Sequence, residues 1–134
     1  MTSWITYLAV ALGGALGSMA RFWANGWVTE RFVLGQTFPL GTLLINITGS
    51  LLIGFIAAFT NPDGGYPANP NFRVFLLVGV CGGYTTFSSF SLQTLNLARD
   101  GQWLYAGWNC LLSVALCLMA VWLGHVLGLL LQPK

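Results

Sequence analysis

The chain has 134 residues, of which 56% are hydrophobic and only 6% are charged, and its formal net charge is +2. Because a soluble domain carries about 25% charged residues, this composition excludes a water-soluble fold. It predicts an all-α integral membrane protein in which residues 1–134 form a single transmembrane domain, and the small net charge gives no reason to expect nucleic-acid binding.

Four apolar runs predict four membrane-spanning helices, since a span requires about 20 apolar residues. The predicted spans cover residues 4–25, 39–60, 72–98 and 102–131. Pro39 suits the first position of a helix, NPDGGYPANPN (61–71) has the composition of a loop, and RDG (99–101) predicts a tight turn. The first segment has no basic n-region, so we expect it to be retained rather than cleaved.

A row of small residues in the first span ends on an arginine. Ala9, Gly13, Gly17 and Arg21 recur every fourth residue, and the glycines form the G-x-x-x-G pattern that brings membrane helices together. A charged member of such a row is expected to face protein or a water-filled vestibule. The alternative is that Arg21 snorkels at the end of its span.

The second span carries a polar face. Thr42, Asn46, Gly49 and Ser50 share it by helical spacing, and Asn46 lies far enough inside the hydrocarbon that its amide requires partners. Asn46 is therefore either a structural interhelical hydrogen-bonding residue or a pore residue.

The fourth span has a narrower polar pattern. Asn109, Ser113 and Cys117 recur at i, i+4 and i+8. They form either a polar track along one face or ordinary helix-packing positions.

The third span contains CGGYTTFSSFS (81–91), where glycines and hydroxyl-bearing residues replace the expected aliphatic ones. Gly79, Gly82 and Gly83 weaken the helix, and we expect a break over residues 82–86 to release backbone carbonyls at mid-membrane depth. Such carbonyls are tolerated only where they are buried in protein or bind an ion. Carbonyl and threonine oxygens suit a hard cation such as Na⁺.

After the expected break, Phe87 and Phe90 point the same way because they lie three residues apart on a helix. Such a pair usually serves packing, but an aromatic ring also presents a positive edge. Two ring edges, with an amide and hydroxyls such as those of Ser88 and Ser89, would hold a small anion weakly enough for it to leave again.

Several functional classes lack the residues they need. Glu30, Asp63 and Asp100 all fall in connections, so no carboxylate is available within a span for proton-coupled export of cations. No nucleophile–base pair or phosphate loop is present, and no enzymatic activity is expected. The three cysteines lack C-x-x-C spacing, so we expect neither a disulfide nor a metal role for them.

Basic residues do not fix an orientation. If the N-terminus is cytoplasmic, Arg73 and Lys134 lie inside, while Arg21, Arg31 and Arg99 lie outside. Cytoplasmic loops normally carry an excess of Lys and Arg. Either the rule is weak in this chain, or the protein inserts both ways and pairs antiparallel.

Three blocks of the sequence carry a resemblance that covers nearly the whole chain. GGALGSMARF (13–22), PLGTLLINITGSLLIGF (39–55) and GVCGGYTTFSSFS (79–91) resemble the signature blocks of the CrcB/Fluc family of fluoride channels. The resemblance implies an antiparallel, dual-topology homodimer in a bacterial inner membrane. It also implies two pores along the subunit interface, through which fluoride leaves the cell passively.

The resemblance further implies roles for individual residues. It places Asn46, Thr42, Phe87 and Phe90 in the fluoride pore and Arg21 in its vestibule. A central structural Na⁺ would be held by backbone carbonyls of both subunits, which here are those of Gly82 and Thr85.

The chain departs from some relatives at Gln93, where they carry Glu, and in the fourth span, where they have Tyr, Ser and Ser. Only Ser113 of that track is unchanged here, with Asn109 and Cys117 at the other positions. Two alternative functions remain open: a small dual-topology transporter of another solute, and a non-transporting membrane scaffold. A scaffold would tolerate leucine at Phe87 and Phe90 with only packing losses.

Overall fold

The computed structural model describes residues 3–32, 38–61 and 68–132, and all regular structure within these ranges is helical. The helices are α1 (Trp4–Phe32), α2 (Leu40–Phe59), α3 (residues 70–84), α4 (Phe87–Arg99) and α5 (Trp103–Leu130). Taking α3 and α4 together, the described part of the chain has four helical segments that are long and apolar enough to cross a membrane. The predicted all-α class with four spans is therefore confirmed.

The first helix is longer than the predicted first span. α1 continues beyond Asn25 to Phe32 and includes Glu30 and Arg31. The apolar run that defines the predicted span ends near Asn25, but no proline follows to stop the helix before Phe32. The helix and the apolar run therefore end at different residues. The predicted loop 61–71 lies partly outside the described residues, which also exclude Asp63 and Lys134.

The third span begins two residues earlier than expected and is irregular. The Asn69 side chain caps its start by accepting from the Asn71 N–H at 2.9 Å, with Pro70 in the first turn. α3 is α-helical over Pro70–Val74, π-helical over Phe75–Cys81, and ends on an α-helical turn, Gly82–Tyr84. π-helical segments are rare and often occur at functional sites.

The glycine row of α1 packs directly onto α3. A Cβ built on Gly13 would lie 2.9 Å from Gly79 Cα, and one built on Gly83 would lie 2.6 Å from the Gly14 carbonyl oxygen. Such distances leave no room for a side chain, so the two backbones touch. Small residues allow this approach between membrane helices, and it places Arg21 close to the end of α3.

α2 is the most buried of the four spans and packs along α5. A Cβ on Gly128 would lie 2.6 Å from the Phe55 carbonyl oxygen, and one on Gly54 would lie closer still to the Val121 carbonyl oxygen. Leu43, Ile45 and Ala58 of α2 are among the buried apolar residues of the chain. α2 therefore lies between the α1–α3 pair and α5, and it carries its polar face to the end of α3.

Candidate functional site

Two residues with extended backbone separate α3 from α4. Thr85 has φ −78° and ψ 159°, and Thr86 has φ −151° and ψ 110°. In a continuous helix each N–H bonds to the carbonyl four residues earlier, and that pattern stops here. The Thr86 hydroxyl caps α4 instead, because it accepts from the Ser89 N–H at 3.2 Å.

Asn46 of α2 binds the backbone of Thr86 on both sides. Its Oδ1 accepts from the Thr86 N–H at 2.8 Å, and its Nδ2 donates to the Thr86 carbonyl at 3.1 Å. The first bond engages the Thr86 N–H, which in a continuous helix would donate to the Gly82 carbonyl. The amide thus has the partners that a polar group in hydrocarbon requires, and both belong to the interruption.

Arg21 reaches the neighbouring carbonyl. Its Nη1 donates to the Thr85 carbonyl oxygen at 3.2 Å, so the guanidinium faces protein at the end of the glycine row. α1, α2 and the two extended threonines therefore meet at one point, where Arg21 and Asn46 bind successive carbonyls.

The carbonyls of Gly82 and Thr85 have both lost their helical donors. The Thr86 N–H goes to Asn46, and the Ser89 N–H goes to the Thr86 hydroxyl. Neutral oxygens of this kind are ligands for hard cations, and a carbonyl has two lone pairs, so the bond from Arg21 leaves one free on Thr85. These carbonyl oxygens are suitable ligands for Na⁺. One chain supplies fewer of them than the ion coordinates.

A cavity of about 380 Å³ lies beside the interruption, between α2, α4 and α5. We call it the aromatic cavity; its lining comprises Asn46, Ser50, Ile53, Thr85, Thr86, Phe87, Phe90, Ser113, Val114, Cys117 and Leu118. None of these lining residues carries a formal charge. The cavity brings together four residues predicted for the pore, namely Asn46, Phe87, Phe90 and Ser113.

The two phenylalanine rings form an inclined pair. Their centroids are 5.3 Å apart and their planes meet at 51°. Phe90 is buried, whereas Phe87 is 77% exposed on the surface of the single chain. One ring is thus held by packing within the chain, and the other stands at its edge.

A second cavity, of about 300 Å³, lies on the other side of the interruption. We call it the arginine cavity; it is lined by Ser18, Arg21, Phe22, Asn25, Thr42, Ile45, Thr86, Ser89 and Gln93. Arg21, Thr42 and Ser89, all predicted from the sequence, lie here rather than with the phenylalanines. Thr86 lines both cavities, so the predicted residues divide into two groups that meet at one threonine.

The Ser113 hydroxyl lacks the hydrogen bond that several other hydroxyls in these helices make. Serine and threonine side chains in helices commonly donate to the carbonyl four residues earlier, and five do so here: Thr48, Thr60, Thr85, Ser91 and Thr94. Ser113 is only 7% exposed, and its Oγ has no hydrogen-bond partner among the described residues. A buried free hydroxyl is costly, and this one lines the aromatic cavity.

Two predicted pore residues line neither cavity. Asn109 is 2% exposed and donates from Nδ2 to Thr94 Oγ1 at 2.8 Å, and the Thr94 hydroxyl donates to the Phe90 carbonyl at 2.8 Å. This chain of bonds fixes α5 to the turn that carries Phe90. The Ser88 hydroxyl lies 3.3 Å from Thr86 Oγ1 at an exposed position.

Sequence reasoning did not select two residues of the site. Thr86 contributes both its backbone and its hydroxyl, and its central place depends on a contact with Asn46 that its own neighbours do not reveal. Asn25 lines the arginine cavity and packs on Gly41. Asn25 was detectable, because it follows Arg21 by four residues and so extends the row of Ala9, Gly13, Gly17 and Arg21.

Together these features define a small multi-pass helical membrane protein with an uncharged, largely apolar cavity beside an interrupted helix. A family model described as CrcB-like protein, Camphor Resistance (CrcB), matches residues 8–125. The chain therefore belongs to the CrcB-like family, a family of ion channels and not of enzymes.

The curated relatives cover nearly the full length of the chain. A protein of Rhodospirillum rubrum named fluoride-specific ion channel FluC is 57% identical over 128 residues, which cover 96% of this chain and 98% of the relative. Proteins of the same name from Methylocella silvestris and Opitutus terrae are 53% and 56% identical, covering 91% and 90% of this chain and 92% and 89% of theirs.

Proposed function

We propose that this chain is a fluoride-selective passive channel that lowers fluoride in the cytoplasm of a bacterium by letting it leave through the inner membrane. The observation that carries the proposal is the aromatic cavity, in which a buried, unpaired Ser113 hydroxyl lies with two aromatic rings and no lining residue is charged. The names of the relatives supply the identity of the anion.

The cavity provides donors without a counter-charge that would trap the ion. Fluoride is small and strongly hydrated, so it leaves water only where other donors replace its shell. The Ser113 hydroxyl and the edges of Phe87 and Phe90 are such donors. Because none of them is a cation, fluoride would bind weakly enough to be released, as conduction requires.

The two cavities define a path for the anion. Arg21 gives the arginine cavity a positive charge that attracts fluoride, and Thr42 and Ser89 add hydroxyls along its wall. Thr86 lines both cavities and would be the point at which the ion enters the aromatic cavity. Asn46 holds the Thr86 backbone in the extended form. In this scheme Asn46 positions the path, while Ser113 contacts the ion.

We propose that the carbonyls of Gly82 and Thr85 hold a structural Na⁺ together with the same carbonyls of a second copy. When bound, the ion supplies ligand bonds that join the two chains and a positive potential near the path. Asn46 and the Thr86 cap keep these carbonyls free of helical donors, which supports the assignment.

A second copy would also cover the exposed ring of Phe87. In the single chain this ring is 77% exposed beside an open cavity, so a path enclosed on all sides requires further protein. The nearly even distribution of basic residues between the two sides, two against three, supports an antiparallel pair. Each pair would then contain two equivalent paths.

Fluoride efflux from proteoliposomes, measured with a fluoride electrode and with chloride as the competing anion, tests the proposal. We expect rapid fluoride efflux and no comparable chloride efflux, and a loss of at least tenfold in Phe87→Ile. Phe72→Ile is the matched control, because Phe72 and Phe75 form another pair spaced three residues apart, with centroids 6.3 Å apart, outside both cavities. The absence of fluoride efflux from well-folded wild-type protein would refute the proposal.

Antiparallel pairing has its own test. Asp100→Cys, in a chain whose three natural cysteines are replaced by alanine, places one thiol at the exposed turn between α4 and α5. We expect an impermeant maleimide to label about half of the protein from each side of a sealed membrane. Labelling from one side alone would exclude dual topology.

A further inference from the structure

Cys117 is the only cysteine among the residues that line the aromatic cavity. It lies on α5 one helical turn after Ser113, among Phe87, Phe90 and Asn46 in that lining. Of the other two cysteines, Cys81 is buried, with 2% exposure, and Cys110 is exposed two helical turns earlier on α5. The chain therefore contains one thiol in the cavity and a natural comparison outside it on the same helix.

A second observation marks this part of the cavity as a place for a ligand. Ser113 is more than nine-tenths buried, and its hydroxyl has no partner among the described residues, whereas five other hydroxyls donate to carbonyls of their own helix. The Ser113 oxygen and the Cys117 sulfur thus provide adjacent polar groups on one wall, four residues apart on a helix.

We propose that Cys117 is a modification and soft-metal site, at which small thiol reagents and monovalent soft cations such as Ag⁺ close the fluoride path. This inference rests on the proposed function, since it requires that fluoride pass through the aromatic cavity. It assigns the site to a residue outside the predicted anion-binding set, and it concerns ligands of a different chemical class from the permeant ion.

The chemistry is that of a thiolate. With methyl methanethiosulfonate, the Cys117 thiol loses its proton to buffer and its sulfur attacks the thiosulfonate sulfur. A disulfide to the methylthio group forms while the bond to the sulfonyl group breaks, and methanesulfinate leaves. With Ag⁺, the same proton is released and a sulfur–silver bond forms, because thiolates are soft ligands that prefer soft cations.

Either adduct changes the wall against which fluoride would pass. The methylthio group adds apolar volume next to the Ser113 hydroxyl, which then loses access to the ion. Bound silver replaces the thiol proton by a much larger atom, so the neutral sulfur–silver group occupies space beside Ser113 through which fluoride would pass. Both effects act locally, so no change of fold is needed to close the path.

The test uses the intact protein in proteoliposomes, with chloride-free buffers because silver chloride precipitates. Fluoride efflux is measured before and after Ag⁺ or methyl methanethiosulfonate. We expect efflux to fall at least tenfold in wild type and equally in Cys81→Ala/Cys110→Ala, which retains Cys117 as its one thiol. Cys117→Ser should conduct fluoride and keep at least half of its efflux after treatment, and Cys117→Ala provides a second variant without the thiol.

Peptide mass spectrometry gives a readout that does not depend on conduction. In Cys81→Ala/Cys110→Ala we expect the methylthio adduct on Cys117. Failure of Cys117 to form the adduct, an adduct that leaves efflux unchanged, or inhibition that persists in both Cys117 variants would each overturn the inference. Untreated wild type without fluoride efflux would instead contradict the proposed function, and adduct formation would still decide whether Cys117 is a reactive site.

Discussion

Replacing Asn46 by aspartate tests its hydrogen bonds to the Thr86 backbone and the need for an uncharged side chain at this position. Aspartate keeps an oxygen for the Thr86 N–H, which Asn46 accepts at 2.8 Å. It replaces the Nδ2 donor, 3.1 Å from the Thr86 carbonyl, by a second oxygen. Because Thr86 is only 7% exposed, its carbonyl loses a partner without gaining water, at a cost of about 1–3 kcal/mol.

The carboxylate also places a negative charge on the lining of the aromatic cavity. Two like unit charges about 4 Å apart repel by about 4 kcal/mol at an effective dielectric constant near 20. If that energy adds to the barrier for fluoride, the rate falls by about three decades, since each 1.4 kcal/mol or so is tenfold. We therefore expect fluoride current through Asn46→Asp to be about 1,000-fold below wild type at pH 7.5.

The assay is fluoride current across a planar bilayer at pH 7.5 and pH 5.5. Neutral hydrogen fluoride carries no current, so its leak does not interfere. Protonation removes the charge and restores a donor toward the Thr86 carbonyl, so the Asn46→Asp current should rise at the lower pH. The matched control is Asn96→Asp, which makes the same change at an exposed position of α4.

Either of two results would refute this reasoning. One is an Asn46→Asp current within threefold of wild type at pH 7.5, which would mean that neither the lost bond to the Thr86 carbonyl nor the added charge affects conduction. The other is full conduction by Asn46→Leu, which lacks both hydrogen bonds to Thr86. In that case the extended backbone would hold itself without Asn46.

Three further predictions follow from the same contacts. Ser113→Ala should lower fluoride efflux about 10–100-fold, because a hydrogen bond to a charged group contributes about 1.5–3 kcal/mol; Ser91→Ala, whose hydroxyl donates within its own helix, should have efflux within twofold of wild type. Asn109→Leu should lower the free energy of unfolding by about 1–3 kcal/mol through the lost bond to Thr94, and in thermal unfolding its effect should be less than additive with that of Thr94→Val. Replacing Na⁺ by N-methylglucamine throughout purification and reconstitution should abolish fluoride efflux, which Na⁺ should restore; undiminished efflux without Na⁺ would contradict the carbonyl site.

The number and class of the helices were predictable because they depend on local composition. Four apolar runs indicated four spans, and the residues that the structure describes include four helical segments that meet the length and hydropathy of a span. The end of α1 was not predictable in this way, since hydropathy detects where an apolar run stops and Glu30 and Arg31 are compatible with a helix. Antiparallel pairing and the Na⁺ site stay predictions, because both depend on a second chain.

The glycine row shows what periodicity can and cannot provide. The spacing of Gly13 and Gly17 indicated that α1 meets another helix closely. It did not identify the partner surface, which is the α3 backbone at Gly79, Val80 and Tyr84. That pairing depends on the positions of both helices in space, and no property of either segment alone contains it.

The hydroxyls of residues 81–91 illustrate the same limit at the site. Their number predicted a polar site, but number alone does not separate hydroxyls that serve the backbone from hydroxyls that are free. Ser91 donates to the Phe87 carbonyl, and the Thr86 hydroxyl caps α4 and donates to Ser89. A hydroxyl that is both buried and without a partner among the described residues lies on another helix, at Ser113.

The contrast between hydroxyls that bond the backbone and a hydroxyl that is free gives a physical reason for so many polar groups beside one uncharged cavity. An interrupted helix exposes N–H and carbonyl groups, and each requires a partner within the protein, because hydrocarbon supplies none. Asn46, Arg21 and the Thr86 hydroxyl provide those partners. A donor is available to a passing anion only if it is not needed to satisfy the backbone of the interrupted helix. Ser113 meets this condition, because it lies on the uninterrupted helix α5 and its hydroxyl has no hydrogen-bond partner among the described residues.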